Sequence, residues 1–186
     1  MSYYQKLYET PIIETPRLIL RRYRKEDAEG IVAMWSEKDM GAYTIFQGVH
    51  TIEDAMGSIF NHFTPNPGCY AITDKSSGKF MGCIDIMLKQ GDKKAEFAYV
   101  LSKEYWGKGY MTEALQALIA FCFNELELNR VEARHLDGNV GSGKVMEKAG
   151  MKLEGVAKEE LFLRDKFWDI YRYAVTKTDW KHNQGM

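Results

Sequence analysis

The chain has 186 residues, a formal net charge of -1, 45% hydrophobic residues and 27% charged residues, which is the composition of one soluble globular domain with a full core. A charge this close to zero excludes the electrostatic footprint of a protein that binds nucleic acid or an anionic membrane surface. No stretch has the length and apolarity of a signal peptide or a membrane span, so we expect a cytoplasmic protein without a nucleic-acid or membrane partner.

The order of the predicted elements indicates the fold class. We expect an irregular lead-in at residues 1–13, one domain at residues 14–178 and a polar tail at residues 179–186. Hydrophobic periodicity and turn residues predict strands at 17–22, 69–73, 80–88, 96–101, 130–135, 151–162 and 166–175. They predict helices at 27–35 and 51–63, from the turn after residue 101 to about 124, and at 139–149. Because helices separate only some strands, we expect an α/β (α+β) fold with a mixed, largely antiparallel sheet of about seven strands and about four helices, and not a doubly wound parallel sheet.

A glycine turn joins the strand at 96–101 to the helix that follows it. Gly107 and Gly109 leave backbone N–H groups that no side chain crowds. The first turn of the helix adds unpaired N–H groups and the positive end of the helix dipole. Strand, glycine turn and helix together therefore predict a site for a phosphate-bearing ligand.

A second glycine-rich junction, at residues 138–145, competes with this reading. Its sequence matches the nucleotide-binding loop G-x-x-x-x-G-K-[ST] except at Val145, where the hydroxyl that holds Mg²⁺ is missing. The loop also comes late in the chain for a nucleotide hydrolase. The first junction is not a dinucleotide fingerprint either, because Met111 and Thr112 follow Gly109 where a third glycine is required.

Taken together, the two junctions resemble the GNAT superfamily of acetyl-CoA-dependent N-acetyltransferases. Residues 104–109 are similar to its pyrophosphate loop [QR]-x-x-G-x-[GA], with Glu104 as a departure, and residues 105–114 are similar to Tyr-Trp-Gly-x-Gly-Tyr-x-Thr-Glu-Ala of the branch that acetylates ribosomal-protein N-termini. The branch signature N-x-x-S-x-x-[VL]-x-x-[KR]-x-G-[FM] is matched by Asn139, Ser142, Val145, Lys148, Gly150 and Met151. Its opening T-x-R-L-x-L-R is matched by Thr15, Arg17, Leu18, Leu20 and Arg21. The resemblance covers about residues 15–178, with Ala98 where the branch often has glycine.

The resemblance implies a GNAT-like acyl-CoA N-acyltransferase fold and transfer of acetyl from acetyl-CoA to a primary amine, either a protein N-terminus or a small molecule. No metal is implied, and the protein is expected to be a monomer or homodimer. We read Cys69, Cys83 and Cys122 as buried hydrophobes, so direct attack in a ternary complex is expected rather than an acetyl-enzyme. The alternatives are a non-catalytic CoA-binding module and, less favoured, a P-loop-type nucleotide-binding protein.

The resemblance also assigns site residues. The predicted cofactor-binding residues are Tyr99, Val100, Leu101, Trp106, Gly107, Lys108, Gly109, Tyr110, Met111, Thr112, Asn139, Ser142 and Lys144. Glu96 is the predicted general base, with a solvated strand-end carboxylate as the equal alternative reading and Glu159 or Glu160 as weaker choices. Ser142 is either the acid that protonates the leaving thiolate or a helix cap that also contacts the cofactor.

Two further expectations concern the surroundings of the ligands. The Glu104 carboxylate is expected near the pyrophosphate, screened by Lys103 or Lys108. The acceptor is expected between the early helices and the last hairpin, where aromatic residues are available. These aromatic residues are Trp35, Tyr43, Phe46, Phe167 and Trp168.

Overall fold

One sheet of eight strands runs through the described chain. The computed structural model describes residues 2–38, 40–45 and 48–185, and of Tyr43 the backbone only. Within these residues the strands are β1 Ile12–Glu14, β2 Leu18–Arg21, β3 Cys69–Asp74, β4 Phe80–Lys89, β5 Lys94–Leu101, β6 Arg130–Leu136, β7 Lys152–Leu163 and β8 Lys166–Thr176. The α-helices are α1 Tyr3–Glu9, α2 Asp27–Ser36, α3 Ile52–Ser58, α4 Tyr110–Asn124, α5 Val140–Lys148 and α6 Lys177–Asn183.

The sheet has the order β1-β2-β3-β4-β5-β6-β8-β7. All neighbouring strands are antiparallel except β5 and β6, which are parallel and are joined through α4. A parallel pair needs a crossover of this kind, whereas the antiparallel pairs need only turns. The predicted mixed, largely antiparallel α/β sheet is thus confirmed, with eight strands and six α-helices in the described chain.

The two ends of the chain are more regular than predicted. The expected irregular lead-in is wrong, because residues 1–13 contain α1, which the Ser2 hydroxyl caps by accepting the Gln5 N–H at 3.2 Å, and most of β1. The polar tail likewise contains most of α6, whose Trp180 ring packs 5.4 Å from that of Phe123. Each helix has seven residues and packs on the fold mainly through one side chain, Leu7 in α1 and Trp180 in α6, so their sequences show too little periodicity to be recognised alone.

Helices cover both faces of the sheet. On one face α4 buries its predicted apolar stripe against the central strands, and this stripe consists of Met111, Leu115, Leu118, Ile119 and Cys122. On the other face α2 and α3 pack Ala28, Ile31 and Ala55 against Cys69 and Ala71. Thr51 caps α3 as predicted, accepting the Asp54 N–H at 3.1 Å.

The strands β5 and β6 separate halfway along their length. Their parallel pairing ends where Phe97 lies beside Ala133. Beyond that point β5 continues to Leu101 beside β4, and β6 continues to Leu136 beside β8. A gap therefore opens in the middle of the sheet, at the ends of the two strands from which α4 and α5 start.

Candidate active site

A cleft of about 840 Å³ occupies the gap between β5 and β6. Its walls are the ends of these strands, the glycine turn, the start of α5 and the middle of β7. The cleft brings together the predicted site residues Glu96, Tyr99, Val100, Leu101, Trp106, Gly107, Gly109, Tyr110, Met111, Thr112, Asn139, Ser142 and Lys144. Lys108 is predicted as well but is not among the lining residues. Residues separated by almost 50 positions thus line one concave site.

The glycine turn leaves the N-terminus of α4 open to this cleft. Gly107 and Gly109 have φ of 71° and 80°, in the left-handed region that favours glycine. Gly109 is the N-cap of α4, and it supplies no side-chain hydrogen bond to the helix. Tyr110, Met111 and Thr112 line the cleft in the first helical turn. Their N–H groups lack partners within the helix and suit an anionic ligand.

Arg17 holds the glycine turn in place. Its Nε donates to Glu113 Oε2 at 2.6 Å, its Nη1 donates to the Lys108 carbonyl at 3.0 Å, and its guanidinium lies 4.3 Å from the centre of the Tyr110 ring. Sequence reasoning placed Arg17 in the opening motif without a role for it. Its contacts to the turn span more than 90 positions, so no local signal revealed them.

Glu113 completes this support from the first turn of α4. Its Oε1 accepts hydrogen bonds from the Thr15 hydroxyl at 2.6 Å and from the Arg17 N–H at 2.9 Å. Partial burial opposes the charged form, but the hydrogen bonds from Thr15 and Arg17 outweigh it and keep the pKa of Glu113 below its ordinary value. The first strand is thereby tied to the helix whose N-terminus faces the cleft.

The end of β5 offers backbone hydrogen bonds to the cleft. The Ser102 N–H donates to the Met81 carbonyl on the β4 side. Hydrogen-bonded pairs alternate along an antiparallel ladder, so Val100 and Ala98 also turn their backbone groups toward β4. Tyr99 then turns its N–H and C=O toward the gap that β6 has left. Val100 contributes to the cleft through its side chain instead.

Tyr99 and Ser142 connect β5 to the start of α5. Their hydroxyl oxygens lie 2.9 Å apart. Burial raises the pKa of Tyr99 well above its ordinary value, although the hydrogen bond with Ser142 opposes the shift, so this hydroxyl stays protonated. The cap of α5 is Asn139, whose Oδ1 accepts the Ser142 N–H at 3.1 Å. The Ser142 hydroxyl therefore serves the Tyr99 contact, and the capping role considered for it belongs to Asn139.

The second glycine-rich segment is the start of α5 and not an open phosphate loop. Only Asp137, Gly138 and Asn139 separate β6 from α5. Gly143 lies inside the helix and is buried, and a Cβ atom there would approach His135 Nε2 to 2.9 Å and the Tyr173 hydroxyl to 3.2 Å. The glycine before Lys144 thus permits close packing of the helix on the sheet.

Glu96 is held between two cations. Its Oε1 lies 2.9 Å from Arg134 Nε and its Oε2 lies 3.2 Å from Lys89 Nζ. Its side chain is only 14% exposed. Glu96 is therefore a positioned carboxylate at the edge of the cleft and not a freely solvated one. Its role as a base stays a prediction.

The two weaker candidates for the base lie in a bulge of β7. The register between β7 and β8 shifts between Ala157 and Leu161. Glu160 lines the cleft, but its Oε1 accepts a hydrogen bond from Arg172 at 2.5 Å, which lowers the pKa of Glu160. Glu159 is not among the lining residues, and its N–H donates to Asp169 at 2.9 Å.

Glu104 is neutralised by a residue that the sequence did not suggest. Its Oε1 lies 2.9 Å from Lys79 Nζ, and this contact lowers the pKa of Glu104. Of the two lysines expected to screen this carboxylate, Lys108 contributes through its charge, but the contact with Lys79 has the larger effect on the pKa of Glu104. Nearby, the Trp106 indole N–H donates to the Leu101 carbonyl at 2.5 Å, so the exposed ring folds back over the end of β5.

Among the described residues, the acceptor end of the cleft is lined mainly by aliphatic and thioether side chains, and not by Trp35, Phe167 or Trp168. These walls are formed by Met40, Thr44, Ile45, Met87, Leu161 and Ile170. Trp35, a residue of α2, is partly buried and packs against the core, Phe167 pairs with Phe162, and the Trp168 N–H donates to the Leu163 carbonyl. Phe46 and the side chain of Tyr43 lie outside the described residues.

The cysteines have the properties of packing residues. Cys69 and Cys122 are buried, and burial raises the pKa of both thiols, as it raises that of Cys83 to about 12. In the described part of the chain, no three His, Cys, Asp or Glu side chains form a group that fits a metal ion. None of the helices at residues 2–38, 40–45 and 48–185 is long and apolar enough to cross a bilayer.

Comparison with known proteins agrees with this geometry. The profile of the Acetyltransferase (GNAT) domain matches residues 17–152. The Bacillus subtilis protein named uncharacterized N-acetyltransferase YnaD is 30% identical over 168 residues, which cover 90% of this chain and 98% of that protein. The Escherichia coli [ribosomal protein uS5]-alanine N-acetyltransferase is 32% identical over 82 residues, 44% of this chain and 42% of that protein.

A solved structure extends the match to the whole fold. The crystal structure of an acetyltransferase of the GNAT family from Bacillus anthracis has a TM-score of 0.82 and 29% identity, and the match covers 90% of this chain and 99% of that one. The resemblance read from the two glycine-rich segments is thereby confirmed. The chain belongs to the GNAT family of acetyltransferases.

Proposed function

We propose that the protein transfers the acetyl group of acetyl-CoA to a primary amine by direct attack within a ternary complex. The observation that carries this proposal is the separation of β5 from β6 next to the open N-terminus of α4. The gap is a slot for an extended chain, and the helix end beside it is a site for its anionic group. Acetyl-CoA combines these two features and supplies a thioester as the acetyl donor.

Backbone groups would bind most of the cosubstrate. The N–H groups of Tyr110, Met111 and Thr112 would receive the pyrophosphate, with Lys144 lining the same cleft. The Tyr99 backbone would pair with the amide-bearing arm. Such pairing brings a backbone N–H close to the thioester carbonyl, where it stabilises the charge that develops on oxygen during attack.

The reaction needs two proton transfers, one at each end of the cleft. An amine is mostly protonated at neutral pH and must lose a proton before its nitrogen attacks. Glu96 at the acceptor end would orient the amine or a water beside it. At the other end, the paired hydroxyls of Tyr99 and Ser142 would give a proton to the thiolate as the carbon–sulfur bond breaks. The amine nitrogen releases its second proton as the amide forms, and this proton, carried by solvent, restores the hydroxyl pair that protonated the thiolate.

We propose the chemical class of the acceptor and not a particular molecule. The cleft wall of Met40, Ile45, Met87 and Leu161 suits an amine on a short apolar body. A protein N-terminus that begins with a small residue meets this description, and the alanine N-acetyltransferase among the relatives supports it. Small apolar amines meet it as well.

Calorimetric titration with acetyl-CoA and, separately, with Mg-ATP tests the proposal. We expect binding of acetyl-CoA, no binding of Mg-ATP, and release of free thiol when an alanyl peptide amide is added. Glu96→Gln and Ser142→Ala should keep cofactor binding and lose turnover, whereas a non-catalytic CoA module would show binding without turnover in the wild type. Failure to bind acetyl-CoA would overturn the proposal.

A further inference from the structure

An ion pair lies at the point where β5 and β6 separate, on the acceptor side of the cleft. Glu96 belongs to the parallel ladder of the two strands, whereas Arg134 is the first residue of β6 beyond that ladder. Both residues line the cleft, and Arg134 Nε lies 2.9 Å from Glu96 Oε1. Met87, directly opposite Glu96 on β4, lines the cleft from the same face of the sheet. The ion pair is therefore part of the acceptor wall.

The Arg134 guanidinium has unused hydrogen-bond donors. Among the described residues, the contact with Glu96 is the only ion pair or hydrogen bond that the Arg134 side chain makes, and it engages Nε. The terminal nitrogen atoms Nη1 and Nη2 therefore have no acceptor within that part of the chain, although each is a donor. Because the Arg134 side chain is 43% exposed, its surface is open to a ligand.

Arg130, four positions earlier on the same strand, provides a comparison. Its Nε donates to Glu132 at 2.7 Å, its Nη1 donates to Glu154 at 2.7 Å, and its Nη2 donates to the second oxygen of Glu154. Every nitrogen of this guanidinium thus has a carboxylate partner, and Arg130 is not among the residues that line the cleft. The arginine outside the cleft is fully paired, whereas Arg134 at its edge is not.

The neighbours of Arg134 do not supply the missing acceptor. Arg172 lies directly opposite it on β8, and like charges in directly opposed positions destabilise a sheet. Glu160, the other acidic residue that lines the cleft, accepts a hydrogen bond from Arg172 at 2.5 Å. This hydrogen bond and, more weakly, the charge of Arg134 lower the pKa of Glu160. A ligand oxygen bound to Arg134 would use its free donors and reduce the repulsion between the two arginines.

An α-amino acyl group has the chemistry that fits the pair of Glu96 and Arg134. Its amine and its acyl oxygen are attached to adjacent carbon atoms, so the nitrogen and the oxygen lie roughly 3 Å apart. This spacing is comparable to the 2.9 Å between Glu96 Oε1 and Arg134 Nε. Glu96 can accept a hydrogen bond from the amine while the guanidinium donates to the oxygen.

A polyamine fits this wall poorly. It has no oxygen to accept hydrogen bonds from Arg134. The two acidic residues that line the cleft, Glu96 and Glu160, already have cationic partners, so neither is free to neutralise a second ammonium group. Simple alkyl amines likewise leave the Arg134 donors without an acceptor.

We propose that Arg134 determines acceptor specificity by binding the acyl oxygen next to the amine, while Glu96 faces the amine itself. The acceptor is then an α-amino acyl compound, which is either the N-terminus of a peptide or a free amino acid. The inference rests on the acetyl transfer proposed above and adds the residue that selects among amines. In this role Arg134 touches no reacting atom and acts by orienting the amine nitrogen.

Arg134→Ala tests this role, with Arg130→Ala as the matched control on the same strand. Thiol release from acetyl-CoA is measured with alaninamide and with sec-butylamine, whose amine also lies beside a methyl group but which has no acyl oxygen. Arg134→Ala should lower kcat/KM about 10- to 100-fold more for alaninamide than for sec-butylamine, mainly through KM. Loss of the partner of Glu96 affects both amines alike, so the ratio of the two kcat/KM values isolates the acyl oxygen. Arg130→Ala should keep the wild-type ratio.

Arg134→Lys separates charge from geometry. The lysine keeps a positive charge beside Glu96 but lacks the planar fork, so it should retain activity with sec-butylamine and recover only part of the wild-type ratio. Free alanine distinguishes the two sources of the acyl group. A higher kcat/KM for alanine than for alaninamide would indicate an amino acid acceptor, and the reverse would indicate a peptide N-terminus.

A binding measurement does not depend on turnover. NMR titration of the CoA-loaded protein should show that alaninamide binds the wild type about 10-fold or more tightly than it binds Arg134→Ala. The affinity for sec-butylamine should change much less between the two proteins. If neither amine is acetylated, equal affinity of alaninamide for both proteins overturns the role of Arg134.

The outcomes separate this inference from the proposed function. An unchanged ratio in Arg134→Ala would overturn the role of Arg134 and leave acetyl transfer intact, as would a higher kcat/KM for spermidine than for alaninamide in the wild type. If Arg134→Ala fails to fold and loses acetyl-CoA binding, the ratio in Arg134→Lys decides. Wild-type protein that does not bind acetyl-CoA contradicts the proposed function itself.

Discussion

The two ends of the cleft are built in different ways. The cofactor end consists mainly of backbone from one continuous stretch, namely the end of β5, the glycine turn and the first turn of α4. The acceptor end consists of side chains from β4, β5, β6, β7 and the segment at 40–45. A backbone site depends on local conformation, whereas a side-chain site depends on strand register and on packing. Substitutions should therefore affect the two ends separately.

The two ends of the cleft also differ in the charged groups that surround the ligands. At the cofactor end, the acidic groups near the helix N-terminus are engaged, Glu113 with Arg17 and Glu104 with Lys79. At the acceptor end, Glu96 is paired with Arg134 and Lys89, and Glu160 with Arg172. Positive potential from amides and the helix dipole dominates the first end, and side-chain ion pairs mark the second.

The largest expected effect on stability comes from Asp85→Asn in the middle of β4. Because folding raises the pKa of Asp85 from 3.8 to about 7, the native state binds the proton more tightly than the unfolded state does. Its contribution to stability is present below about pH 4 and is lost as the pH rises through about 7. Removing the charge should thus raise the free energy of unfolding above pH 7 by on the order of 2 to 4 kcal/mol.

Urea unfolding at a series of pH values measures this change. The gain should grow between about pH 4 and about pH 7 and then stay constant. Asp92→Asn, in the exposed turn between β4 and β5, serves as the control. If Asp85→Asn is less stable than the wild type above neutral pH, the Asp85 carboxylate has a partner that stabilises its charge.

Gly109→Ala should produce the largest effect at the cofactor end. The residue has φ of 80° and would place a Cβ atom 3.5 Å from Arg17 Nη2. A side chain in the left-handed region costs roughly 1 kcal/mol, and any relaxation of the turn moves the amides of α4. We expect acetyl-CoA affinity to fall about 10-fold or more.

Calorimetry with acetyl-CoA checks this expectation, and Gly91→Ala is the control. Gly91 lies in a turn, and no atoms lie within 4 Å of the Cβ position there. The KM of the amine should be unchanged in Gly109→Ala. An altered amine KM with intact cofactor affinity would mean that the two ends are coupled.

Arg17→Ala should weaken the same turn to a smaller degree. It removes the hydrogen bonds to Glu113 and Lys108 and the stacking on Tyr110, while the backbone conformation of the glycines persists. We expect acetyl-CoA affinity to decrease about 3- to 10-fold. Arg17→Lys should recover only part of the loss, because an ammonium lacks the planar fork that makes these contacts together. Full recovery by lysine would show that only the charge matters.

Arg164→Ala should have the smallest effect and should be confined to the acceptor end. Arg164 donates to the Ala42 and Thr44 carbonyls at 3.2 and 3.1 Å, which ties the hairpin of β7 and β8 to the segment at 40–45. Because the contacts are exposed, stability should change by less than about 1 kcal/mol. The KM of the amine should rise a few-fold at constant acetyl-CoA affinity, as steady-state kinetics will measure. A changed acetyl-CoA affinity would contradict the separation of the two ends.

Much of the fold was predictable because its signals are local. Alternation and helical periodicity predicted most strands and the main helices, and turn glycines marked their junctions. The short helices α1 and α6 were not predictable, since each depends on contacts with distant parts of the chain. In the site, the glycine turn was recognisable from contiguous residues, but the pairing of Glu96 with Lys89 and Arg134 required the register of three strands.

Local sequence thus determined the cofactor end, where Gly107 and Gly109 specify the backbone conformation that opens the helix N-terminus. Tertiary structure alone decided the acceptor end and the ionisation of Asp85. Asp85 appears in the sequence as one acidic residue in an apolar strand, which is a weak signal. Only the packing of β3, β5 and the early helices around it shows that its Oδ1 atom is buried without a hydrogen-bond partner and that burial raises its pKa. Burial and partner geometry arise from residues far apart in the chain, and these decide how a side chain ionises.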